Sequence, residues 1–89
     1  MHEATLTIVN RLGLHARAAG KFVNLAKTFE SRILLAKGDE AVDGKSIMGV
    51  MLLAAPLGSQ VKLMVEGADA EQAFASLCEL VNDGFGELD

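Results

Sequence analysis

The stretch QVKLMVE, Gln60 to Glu66, sets Val61, Leu63 and Val65 on one face of an extended chain and Lys62, Met64 and Glu66 on the other. A strand divided in this way buries one side only, so its sheet needs a covered face and a wet one. TLTIV, Thr5 to Val9, alternates in the same sense, with Thr5 and Thr7 against Leu6 and Ile8. RILLAK, Arg32 to Lys37, reads as a strand, and a shorter one is expected near Ala41 and Val42, between turns at Gly38-Asp39 and Asp43-Gly44.

The cover comes from segments of helical period. Ala19, Phe22, Val23 and Ala26 fall at i, i+3, i+4 and i+7, which predicts an amphipathic helix from about Ala16 to Thr28. A short helix follows Ser46, runs through Ile47 to Leu53 and must end before Pro56. A last helix opens at Asp69, with Gln72 at capping-box spacing, carries Ala73, Phe74, Leu77 and Val81, and stops near Gly84. The order β-α-β-β-α-β-α implies an α+β open-faced sandwich: a four-stranded, mostly antiparallel sheet with three helices on one face. With 89 residues, the chain is expected to form a single domain over 1–89.

Charge narrows the function. Eight Lys+Arg against 12 Asp+Glu leave a net charge of -4, without the basic footprint that nucleic acid requires. Neither Trp nor Tyr is present to stack on bases. Cys78 is the only cysteine and lies in an apolar helical pattern, which favours a plain thiol in or near the core. The N-terminus MHEATLTIVN lacks the plan of a signal peptide, and the uncharged run from Ile47 to Val61 is too short and too broken to span a bilayer. A cytoplasmic protein without membrane insertion is expected.

The segment LGLHARAAGKFV, residues 12 to 23, puts His15 at the N-cap of the first helix. The first amides of a helix have no intrahelical partner and carry the positive end of its dipole. That end favours a neutral imidazole with a lone pair free to attack, and it receives an anion bound to the ring. Arg17 adds a guanidinium fork for phosphate oxygens, while Gly13, Ala16 and Ala18 leave the ring accessible. A transferable phosphoryl group on a histidine nitrogen fits these features, and so does a plain turn histidine. A metal site fits poorly, because His2 is the only other histidine and no ligand pair has suitable spacing.

Ser46 is first a helix cap, a position that also tolerates phosphorylation. Beyond it, Ile47, Met48, Met51 and Leu52 fall on one arc of the helix, and Val50, Leu53 and Ala54 on another. Either the arcs form one wide core face, or the Met-rich arc is an exposed docking patch with adaptable side chains.

LGLHARAA, DGKSIMGVMLLAA and GADAEQAF together resemble HPr, the histidine phosphocarrier family of the bacterial phosphotransferase system, across essentially the whole chain. The resemblance implies that His15 takes a phosphoryl group on Nδ1 from phosphorylated enzyme I, charged by phosphoenolpyruvate, and passes it to an enzyme IIA domain. It implies that Arg17 steadies the phosphoryl oxygens and that Ser46 is a regulatory site for an HPr kinase/phosphorylase where the host has one. It also implies that Ile47, Met48 and Met51 dock partners. The carrier would be a monomeric stoichiometric relay rather than an enzyme, with no cofactor or metal of its own. Sugar-branch members commonly carry proline where this chain has Ala18. HARAA, with VNDGFGE near the C-terminus, looks more like the nitrogen-branch homologues called NPr, which relay phosphate in a regulatory chain. The alternative is a regulatory binding module acting through Ser46 phosphorylation without carrier activity, as in homologues that lack the histidine.

Overall fold

The alternating strand takes a central place. In the computed structural model, which describes residues 1–87, β1 (His2–Thr7), β2 (Arg32–Lys37), β3 (Glu40–Asp43) and β4 (Gln60–Glu66) form one sheet in the order β1-β4-β2-β3. Every neighbouring pair is antiparallel, so the sheet is antiparallel throughout. Register aligns the inward residues across the strands: Leu6 lies opposite Val61, Leu35 opposite Leu63, and Ile33 opposite Val65. All six are buried, and the helices α1 (Ala16–Ala26), α2 (Ile47–Leu52) and α3 (Ala70–Asn82) cover them. The α+β open-faced sandwich is the fold observed.

Helix α1 buries the four residues its period marked, together with Ala18. It ends two residues earlier than expected. Lys27 is the C-cap, and the backbone N–H and the hydroxyl of Thr28 both donate to the Leu25 carbonyl. A hydroxyl that bonds back onto the preceding turn competes with continuation of the helix. In α3, Ala73, Leu77 and Val81 are buried, and Phe74 is half-buried against the ring of His2. Cys78 packs beside the core, and burial pushes its thiol pKa up. Among the described residues, no helix is long and apolar enough to cross a membrane.

The expected capping box at Asp69 does not form. Asp69 has φ -107 and ψ 26, away from the extended geometry of a side-chain cap, and makes no cap hydrogen bond. Its carboxylate instead accepts from the Glu30 and Ser31 amides, both at 2.9 Å, and from the Ser31 hydroxyl. Gly67 permits this approach: its φ is +147, and a Cβ there would lie 2.7 Å from the Ser31 Cα. The Ser31 hydroxyl, followed by the amides, holds the Asp69 carboxyl below its ordinary value of 3.8.

A depressed carboxylate stabilises the fold above its unfolded pKa, and the contribution is lost as pH falls through the lower folded value. Asp69→Asn should therefore lower the urea midpoint at pH 7. The gap from the parent chain should narrow as pH drops below about 4. A gap that stayed constant from pH 7 to pH 3 would contradict the staple.

The chain leaves α3 through Gly84, at φ +64, as its sequence suggested. A 3-10 turn over Gly84–Gly86 follows, with Phe85 itself at φ +59. Only 1% of Phe85 is exposed, so burial of the ring offsets a left-handed backbone that costs a non-glycine residue about 1–2 kcal/mol.

Candidate functional site

His15 is the N-cap of α1, with the extended backbone of that position (φ -76, ψ -179). Its Nδ1 accepts a long hydrogen bond, 3.3 Å, from the amide of Arg17. On the other side of the ring, Nε2 lies 2.8 Å from Oε2 of Glu87, which arrives from just beyond the 3-10 turn. An ionised carboxylate can only accept, so the proton of this pair sits on Nε2 and the lone pair of the neutral ring on Nδ1. The Arg17 amide, a donor, agrees with that tautomer. The helix end and the carboxylate divide the ring between them: one faces the lone pair, the other faces the proton.

Glu87 is itself held. Oε1 accepts from Nδ2 of Asn10 at 2.8 Å, and the second hydrogen of that nitrogen reaches the Gly13 carbonyl, also at 2.8 Å. Both partners of Nδ2 are acceptors, which settles the orientation of the amide. Asn10 is only 2% exposed and is fixed from the core side. The Asn10 bond, then the His15 bond and the charge of Lys21, keep the Glu87 carboxyl below the usual glutamate range against the opposing effect of burial. Lys21 also anchors the turn, donating from Nζ to the Phe85 carbonyl at 2.8 Å.

The loop carrying His15 is seated with little freedom. The Leu14 amide donates to the Ala55 carbonyl at 2.8 Å, and Gly13 has φ +68 with the Ala55 oxygen only 2.6 Å from where a Cβ would stand. Only glycine fits there. Ala16 and Arg17 are exposed, whereas Ala18 is buried, so the access expected around the ring comes from Ala16 and not from Ala18. Arg17 meets His15 through its backbone. Among the described residues its guanidinium makes no hydrogen bond or ion pair, and it can turn toward an anion on the ring.

Ser46 caps α2, its Oγ accepting from the Gly49 amide at 3.1 Å. The two arcs of α2 separate as a docking surface requires. Val50 and Leu53 are buried, while Ile47, Met48, Met51 and Leu52 are exposed, Met48 at 67%. Ala54 does not join the buried arc: it is exposed at φ +48, where the chain reverses ahead of Pro56. A shallow depression of about 320 Å³, lined by Leu12, Leu14, His15, Met51, Ala54 and Pro56 among others, connects the ring to the exposed arc. Leu12, which lines it, is 63% exposed and widens the apolar rim.

Glu87, Asn10 and Leu12 carry no signal in the helical or strand period. The one available clue is an aromatic between two glycines, Gly84-Phe85-Gly86, just after a helix; it marks a turn anchored in the core and hence a chain that folds back.

The family model "PTS HPr component phosphorylation site" matches residues 2–83. Phosphocarrier protein HPr of Neisseria meningitidis serogroup A is 46% identical over 87 residues, 98% of each chain. Phosphocarrier protein NPr of Shewanella violacea is 38% identical over 85 residues, 96% of this chain and 93% of its own. The crystal structure of HPr-C-His from Thermoanaerobacter tengcongensis superposes with a TM-score of 0.94 at 46% identity, covering 98% of both chains. On these matches, which cover nearly the whole chain, this chain belongs to the HPr family of phosphocarriers of the phosphotransferase system.

Proposed function

We propose that His15 accepts a phosphoryl group on Nδ1 from phosphorylated enzyme I and hands it to a histidine of an enzyme IIA domain. The observation that carries this reading is the divided ring: the Nδ1 lone pair faces the N-terminus of α1, and Nε2 is engaged by Glu87. A phosphoryl on Nδ1 meets the amides of the first turn, already oriented for an anion. These backbone donors are in place before the charge arrives, which is the condition for effective electrostatic stabilisation.

Partners dock on the rim formed by Ile47, Met48 and Met51 with Leu12 and Leu52, where side chains adapt to successive surfaces. A phosphoryl on Ser46 would displace the hydroxyl from its cap bond and place charge next to Ile47 and Met48, which opposes apolar docking.

Arg17 supplies the mobile half of the anion site. Arg17→Ala should slow transfer about 10–100-fold, because a charge-assisted bond to an exposed anion is lost while the amides remain. Stopped transfer at single-turnover concentrations is the check, and near-normal rates would remove Arg17 from the site.

The reading itself is tested by intact mass after incubation with enzyme I, magnesium and phosphoenolpyruvate. An acid-labile, base-stable adduct of one phosphoryl is expected, and the enzyme I that charges the chain identifies its branch. No adduct with enzyme I from either the sugar or the nitrogen branch would favour a regulatory module acting through Ser46.

A further inference from the structure

The carboxylate on Nε2 has a consequence for the chemistry of the ring. We infer that Glu87 is a positioning residue for phosphoryl transfer: it keeps one proton on Nε2 throughout the cycle and thereby reserves Nδ1 for the phosphoryl group. This rests on the phosphocarrier reading of His15. The geometry is the chain Gly13 carbonyl, Asn10 Nδ2, Glu87 carboxylate, His15 Nε2, with each contact at 2.8 Å. Side-chain exposure is 29% for His15 and 12% for Glu87, so the pair is partly shielded from water and from screening.

In charging, the Nδ1 lone pair forms an N–P bond while the N–P bond of the donor histidine breaks, and the donor nitrogen keeps that pair. The Nε2 proton stays in place, so the phosphorylated ring carries a positive charge opposite the Glu87 anion. In discharging, Nδ1 leaves phosphorus with the electron pair and returns to the neutral Nε2–H ring it was before. No proton enters or leaves from the His15 side in either direction. Without the carboxylate, the phospho-ring loses its Nε2 proton more readily, and a deprotonated ring is the poorer leaving group.

Other groups around the ring do not perform this task. From α1, Arg17 and Lys21 are cations; Lys21 is committed to the Phe85 carbonyl, and Arg17 approaches through its amide on the Nδ1 side. The remaining side chains of the depression, Leu12, Leu14, Met51, Ala54, Ala55 and Pro56, are not titratable. Glu87 is the one anion in contact with the ring among the described residues.

The test uses Glu87→Gln, which keeps the shape and removes the charge, with two readouts. In the unphosphorylated protein, 15N spectra of the imidazole report the tautomer without any partner. The parent chain should hold the Nε2–H form, and the Nδ1–H fraction should rise about tenfold in the variant. In the phosphorylated protein, the pH profile for loss of phosphohistidine should move down by about one unit. A variant ring that keeps the parent tautomer, or a phospho-form that follows the parent profile, overturns the assignment. Failure of both chains to accept a phosphoryl refutes the carrier reading instead, and the spectra still decide the role of Glu87.

Discussion

His15→Ala should abolish phosphoryl acceptance while leaving the fold in place. The ring stands at the surface at the start of α1, and its only bond to the helix is the long one to the Arg17 amide. Loss of that cap costs about 0.5–1 kcal/mol, little against the 5–15 kcal/mol of a typical domain. Chemistry loses everything, because the neighbouring side chains of Leu14, Ala16 and Arg17 offer no nucleophile at neutral pH. The measurement is the adduct experiment on both chains, with circular dichroism to establish equal folding. The lability of any residual adduct is informative: one labile in base as well as in acid would place the phosphoryl on a carboxylate, and Glu87 is the carboxylate within reach. A folded variant with a normal acid-labile adduct would remove His15 as the acceptor.

The largest stability effect is expected at the far end of the chain. Phe85→Ala removes a ring that is 1% exposed, at a cost of about 3–5 kcal/mol. Alanine does not relieve the left-handed backbone at φ +59, so no compensating gain accompanies the loss. The urea midpoint should fall sharply, on a scale comparable with the total stability of a small domain. The site should loosen as well, since the turn that Phe85 anchors brings Glu87 to Asn10 and His15. A midpoint within a few tenths molar of the parent would mean that the turn is held by the Lys21 bond alone.

These two positions differ in how they were legible. His15 stands where a helical period begins, so its role as a cap could be derived from spacing, and the resemblance to HPr supplied the phosphoryl chemistry. The same holds for the two arcs of α2, whose helical period alone separates Met48 and Met51 from Val50. Asp69 and Glu87 were not legible. Each bonds a segment remote in sequence, 38 and 72 residues away, through a single side chain in a loop or past a turn. Periodicity reports which face of an element is buried; a contact between two irregular segments leaves no period to read. At Asp69 the local pattern was misleading, because an acidic residue before a helix with Gln72 three positions on has the form of a capping box while its carboxylate is engaged elsewhere. A wholly antiparallel sheet, by contrast, follows from strands that must pair across short turns and single crossovers.

The strand order β1-β4-β2-β3 also bears on how the protein is born. A ribosome delivers β1, β2 and β3 well before β4, yet β4 is the strand that bridges β1 to β2. Until it emerges, the only pairing within the sheet available to the nascent chain is the hairpin of β2 and β3. Two-stranded hairpins are marginal in water, so most of the chain waits unfolded for its centre. Folding is then a late, nearly simultaneous event. Released chains that stop before β4 should be digested by protease as unfolded polypeptide, while chains that extend past Phe85 resist it.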